Sequence, residues 1–160
     1  MLTIRNYTDT ECELEIAKSR LDFLIDKKTR LYRKYFPLSS EVKEIMVDGG
    51  EENTDKMADY LHELHEIDYG TGKSLEEEII YQQEIVDKLK NYLDIMSNSL
   101  SKTKGLEYQL FYEIVYNGVN ITKAVENISS NYNADVSTVW RVYKRIKKYV
   151  KKLKMPVFWE

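Results

Sequence analysis

Two runs of apolar residues, spaced alternately three and four apart, constrain this chain more than any other feature. The first sets Leu14, Ala17, Leu21, Leu24, Leu31 and Tyr35 in line, with Lys28 as its polar break. The second sets Leu75, Ile79, Gln82, Val86, Leu89, Leu93, Met96 and Leu100 in line. Such spacing keeps one face of an α-helix apolar along its whole length, and that face must pack against another helix. The first run predicts a helix of about 25 residues, opened by a capping box between Thr10 and Glu13 and stopped at Phe36-Pro37. The second predicts a helix capped by Ser74, with three glutamates in its first turn. Antiparallel pairing within one chain and mating with a second copy satisfy the pattern equally.

Composition agrees with an all-α fold. Charged residues make up 32% and hydrophobic ones 42%, and only two prolines and six glycines interrupt the chain. Between the two seams, Asp48-Gly49-Gly50 reads as a turn. Asn53 or Thr54 would cap a short helix with Met57, Tyr60, Leu61 and Leu64 on one face. The stretch Tyr69 to Lys73 breaks that helix, and Asn98 to Lys104, rich in serine and lysine, reads as a joint.

Charge divides the chain at that joint. Residues 1–100 hold 13 basic and 22 acidic residues, a net of −9, whereas residues 101–160 hold 11 and 5, a net of +6. The expected organisation is an acidic helical body over 1–101, a basic helical unit over 102–155 and an apolar tail over 156–160 containing Val157, Phe158 and Trp159. Only the basic unit suits the neighbourhood of a polyanion.

Within that unit, a helix from Lys104 to Asn117 buries Leu106, Leu110, Phe111 and Ile114, and Gly118 stands where a left-handed stop is needed. A short helix from Thr122 to about Asn131 carries Ala124, Val125 and Ile128 on one side. The third helix, with Ser137 as its expected N-cap, turns Val139, Val142, Ile146, Tyr149 or Val150, and Leu153 inward. Its outward positions hold Thr138, Arg141, Lys144, Arg145, Lys147, Lys148, Lys151 and Lys152, with no acid from Val136 to Trp159. A short helix with alanine at the crossing, then a turn and a basic helix, is the pattern of a helix-turn-helix. The turn, over Ser129 to Asp135, reads as longer than usual. Trp140 lies beside the inward stripe, placed either to touch a thymine methyl or to seal the contact near Tyr108 or Tyr112.

The segment GVNITKAVENISSNYNADVSTVWRVYKRIKKYVKKL (residues 118–153) resembles the end of region 4 of bacterial sigma factors and its phage derivatives. With the body included, the long first helix ending at an aromatic-Pro, the Gly-Gly turn and DKMADYLHELHEID (residues 55–68), the chain resembles sigma-like, ArpU-type regulators of Gram-positive hosts and their prophages. The resemblance implies a cytoplasmic DNA-binding regulator of phage or prophage transcription in a bacterial host. It places Ser137, Thr138, Trp140, Arg141, Lys144 and Arg145 in recognition positions. Lys148, Lys151 and Lys152 follow as phosphate contacts. The implied partner is double-stranded DNA, with RNA polymerase or a homodimer through the heptad helices as further partners.

Two readings from other classes stay open. FYEIVYNGVNITKAV also resembles the helix entry of phage terminase small subunits, which act in DNA packaging. A non-DNA-binding inhibitor, with its basic helix in a partner's nucleic-acid groove, is the other. Gly70-Thr-Gly72-Lys73-Ser74 ends like a phosphate-binding loop, but Ile67 stands where that loop's first glycine belongs. His62 and His65 lack the His-Glu-x-x-His spacing of a zinc site. No nucleophile has a base partner, so neither an enzyme nor any cofactor or metal is expected. No apolar run reaches the roughly 20 residues of a membrane span, and Cys12, the single cysteine, excludes an intramolecular disulfide.

Overall fold

The computed structural model describes residues 6–38 and 51–153, with the backbone alone described for 51–53. Six helices follow one another: α1 (Tyr7–Tyr35), α2 (Glu51–His65), α3 (Leu75–Ser101), α4 (Leu106–Val115), α5 (Ile121–Asn131) and α6 (Val136–Lys152). The expected all-α class is what the described residues form; their one β-bridge joins Asp68 to Lys73. The Gly49-Gly50 turn and the Val157 to Trp159 tail lie outside the described residues. No helix among the described residues is long and apolar enough to cross a membrane.

The described chain divides into two compact units, one of residues 16–38 and 51–86, the other of residues 6–15 and 87–153. The boundary between them falls inside α1 and α3, so each long helix contributes to both. The expected break at residue 101 is therefore not where the units divide.

In the first unit, the seams of α1 and α3 close on each other within one chain. Their segments run antiparallel: Gln82 Nε2 donates to the Ala17 carbonyl at 3.1 Å, and Lys28 Nζ meets Glu76 Oε2 at 2.7 Å. Lys28, the polar break of the first seam, thus has an acid facing it. Tyr60 and Leu64 of α2 pack with Leu75, and Leu24, Leu31, Tyr35, Phe36 and Ile79 close around them. Met57 and Leu61, expected on the same face, are exposed, because the buried stripe of α2 is only as wide as Tyr60 and Leu64. Lys34 Nζ pairs with Glu63 Oε1 at 2.7 Å, and the Tyr35 hydroxyl donates to the same carboxylate. Those two donors hold the Glu63 carboxyl below its ordinary range.

Two helix starts differ from and agree with expectation for legible reasons. α1 begins ahead of Thr10: Asn6 Oδ1 accepts from the Asp9 N–H at 2.7 Å, while the Thr10 hydroxyl, fully buried, donates back to the Asn6 carbonyl at 2.9 Å. Asn6 is therefore the cap, and Thr10 bonds within the helix it was expected to open. Ser74 does cap α3, in a reciprocal box: the Glu77 N–H donates to Ser74 Oγ at 3.2 Å and the Ser74 N–H to Glu77 Oε2 at 2.9 Å. The loop before it, Gly70 to Lys73, follows no strand and serves as the turn into this cap.

The second unit has its core where α4, α5 and α6 pack on one another. Leu110, Phe111, Ile114 and Val115 of α4 meet Ala124, Val125 and Ile128 of α5 and Val139, Val142, Ile146 and Val150 of α6. Burying such side chains contributes about 1.5–3 kcal/mol each. From α3, Tyr92 fixes the far end of α6: its buried hydroxyl donates to the Leu153 carbonyl.

Candidate nucleic-acid interface

The candidate face lies on α6, whose position depends on how α4 and α5 stop. Beyond α4 the chain turns at Gly118, with φ of +63° and the Val119 N–H bonded to the Glu113 carbonyl at 3.1 Å. A side chain there is excluded twice, by the left-handed backbone and by Asn6 Nδ2, 2.7 Å from where a Cβ would sit. Asn120 then caps α5, its Oδ1 accepting from the Thr122 N–H at 2.9 Å.

The turn between α5 and α6 is shorter than the sequence suggested. Ser129, Ser130 and Asn131 remain helical, leaving only Tyr132, Asn133, Ala134 and Asp135 between the helices. Asn133 takes the left-handed conformation at φ of +48°, which asparagine tolerates better than other side chains. The Ala134 N–H bonds to the Ser129 carbonyl at 3.0 Å, and the Ser129 hydroxyl donates to the Ala134 carbonyl. This six-to-one closure is a Schellman stop, and it delivers the chain into α6 at once. Ala124, fully buried, stands on the packed side of α5.

Asp135, not Ser137, is the N-cap of α6, and its carboxylate makes no capping bond to the helix backbone. It accepts instead from the Ser137 hydroxyl. The helix begins at Val136, so Ser137 falls in its first turn.

From there the expected two-sided pattern holds. Val139, Val142, Ile146 and Val150 are buried, followed by Leu153 at the C-cap, and Tyr149 is half-buried. Ser137, Thr138, Arg141, Lys144, Arg145, Lys148, Lys151 and Lys152 are all exposed, as is Lys147. Counting 100° per residue, Ser137, Arg141, Lys144, Lys148 and Lys151 lie opposite the buried stripe. Arg145 and Lys152 lie on one flank, with Lys147 and Trp140 on the other.

Not all of these side chains are equally available. Arg145 Nε pairs with Glu107 Oε1 of α4 at 3.1 Å, which turns it toward the helix packing. The Lys148 ammonium lies 4.8 Å from the Tyr149 ring centre. Trp140 is half-buried and meets Tyr143 of its own helix edge-on at 5.7 Å. Burial raises the Tyr143 hydroxyl above its ordinary pKa.

Sequence reasoning missed a second aromatic feature in the same unit. Tyr108 and Tyr112 of α4 and Tyr116 at its C-cap, spaced four residues apart, stack at 6.1 Å and 4.7 Å with interplanar angles of 20° and 8°. Tyr7, at the start of α1, continues the stack on Tyr116 at 4.5 Å and 14°. The spacing of these three tyrosines was visible in the sequence, but the ring from α1 was not. Elsewhere, His62 and His65 are exposed on α2, and no three His, Cys, Asp or Glu side chains among the described residues group as a metal site requires.

No family model, curated protein or solved structure matches this chain.

Proposed function

We propose that the chain is a DNA-binding transcriptional regulator, in which α5 and α6 form a helix-turn-helix and α6 enters the major groove. One observation carries the reading: the outward face of α6 from Ser137 to Lys152 is exposed, uncharged at its start and basic thereafter, while the opposite face is buried. A groove about 12 Å wide admits such a helix, with its first residues at base edges and its later cations at phosphates. The four-residue turn and the buried Ala124 support the same reading, since a helix-turn-helix requires a short link and a close crossing.

In the proposal, Ser137, Thr138, Trp140 and Arg141 read bases, and Lys144, Lys148, Lys151 and Lys152 hold phosphates. Arg145 has a smaller share because Glu107 engages it. The resemblance to region 4 of sigma factors and to ArpU-type regulators extends the proposal to phage or prophage promoters and to contact with RNA polymerase. The acidic body would then serve association, with a partner or with a second copy.

Selection of bound duplexes from a random pool by the purified protein, with its mass measured in solution, tests this. A defined motif is the expected result. Arg141→Ala should then relax selection at one base position, at a cost of about 1–3 kcal/mol if the arginine spans a guanine edge. Absence of duplex binding at low salt would overturn the proposal, and a ring of many copies would favour a packaging subunit.

A further inference from the structure

The tyrosine stack of α4 has no part in the reading above. Tyr7, Tyr116 and Tyr112, 4.5 and 4.7 Å apart, cover one another's faces, whereas Tyr108, 6.1 Å from Tyr112, is offset from them and leaves ring surface uncovered, so a further flat ring is best accepted at the Tyr108 end. One end is covered: Tyr7 lies on Tyr116, and burial raises the Tyr116 hydroxyl above its ordinary pKa. The other end is Tyr108, in the first turn of α4. One helical turn earlier the chain is no longer helical, because Gly105 at the N-cap, with φ of 58° and ψ of −129°, takes it off the helix path. α4 therefore supplies no residue to cap the stack, and Tyr108 remains 38% exposed.

The surroundings of that end indicate what it fits. Lys102 and Lys104, both exposed, immediately precede the helix, and Glu107, beside Tyr108, is neutralised by Arg145. The uncovered parts of Tyr108 and Tyr112 together amount to roughly 150 Å² for rings of this size. A stable protein interface needs about 800 Å² from each partner, several times more. A planar ring with an attached anion matches both the small area and the basic border.

We infer that the open face of Tyr108 stacks an unpaired nucleobase, whose strand phosphates are held by Lys102 and Lys104. This is a single-stranded nucleic-acid subsite, separate from the α6 face and not dependent on the function proposed for it. Aromatic stacking of this kind accepts any base, so the subsite distinguishes unpaired from paired strands more than one sequence from another.

The test measures binding of a fluorescent oligo(dT) of about 15 nucleotides, an oligo(U) of equal length and an abasic strand with the same backbone, all to the full chain at low salt. Tyr108→Ala and Tyr108→Leu should weaken oligo(dT) binding by about five- to 150-fold, corresponding to about 1–3 kcal/mol of base stacking. Tyr108→Phe, which keeps the ring, should bind like the wild type. The abasic strand should bind the wild type no better than oligo(dT) binds Tyr108→Leu. The tighter of oligo(dT) and oligo(U) identifies the natural strand. Equal affinity of wild type and Tyr108→Leu, equal affinity for base-bearing and abasic strands, or no strand binding by the wild type would each overturn the inference. Duplex binding is read in parallel: its loss with strand binding intact counts against the α6 proposal alone, and the converse against this subsite alone.

Discussion

Removing Lys148 and Lys151 together gives the sharpest test of α6 as a DNA-binding helix, because the result is a slope rather than a single affinity. Lys144, Lys148 and Lys151 are exposed and follow one another in steps of four and three. At about 1.5 Å per residue they form a line roughly 10 Å long, enough to follow successive phosphates. Each phosphate neutralised contributes about −0.9 to the slope of log affinity against log salt. Lys148→Ala with Lys151→Ala should therefore flatten that slope by about 1.8. Over the rise from about 50 to 200 mM salt, the double variant should lose roughly 12-fold less affinity than the wild type. Lys148 must leave the Tyr149 ring to make its contact, so its single variant should show the smaller change. Fluorescence anisotropy with a selected duplex at three salt concentrations measures all of this, with Arg20→Ala plus Lys27→Ala on α1 as the charge-matched control. An unchanged slope in the double variant, or an equal change in the control, would refute the assignment of these lysines to phosphates.

Two further predictions concern stability. Gly118→Ala should destabilise the basic unit by more than about 1 kcal/mol in thermal melting, since alanine suffers both the positive φ and the 2.7 Å approach of Asn6. Glu63 is held below its ordinary pKa by Lys34 and Tyr35, so its stabilising contribution is present above the unfolded value near 4.3 and is lost as pH falls through the lower folded value. Melting temperatures of wild type and Glu63→Gln should accordingly differ at neutral pH and converge in acid; a constant difference would show that the carboxylate's charge is not what matters.

The sequence announced the helices well because their apolar residues repeat with the period of the structure that buries them. Leu14, Ala17 and Leu21 on one seam and Val86, Leu89, Leu93 and Met96 on the other are buried as their spacing requires. Capping was less legible. Thr10 and Glu13 have the right chemistry for a helix start, yet Asn6 has it as well, and only packing decides between them. The polar run Ser129 to Asn131 read both as the end of the short helix and as the start of the turn; it contains no residue that breaks a helix, and α5 continues through it. The outward residues of α6 were identified correctly from periodicity alone. What periodicity missed was their company: the Glu107 that engages Arg145 and the Tyr143 beside Trp140. Tyr7 and Tyr116 meet through tertiary packing, which no local pattern encodes.

Gln82 is the one polar residue in the apolar seam of α3, and its buried amide donates to the carbonyl of Ala17. If α3 slid along α1 by a heptad, Lys28 would lose Glu76 and the buried Gln82 amide would face a larger residue, Thr10 or Leu24, where Ala17 now stands; a buried amide left without its acceptor costs about 1–3 kcal/mol. Leucine in place of Gln82 would tighten the pair and leave Lys28 with Glu76 as the polar contact that marks the alignment. Ordinary hydrophobic burial thus sets how strongly the two helices hold, while one amide and one ion pair set where they hold.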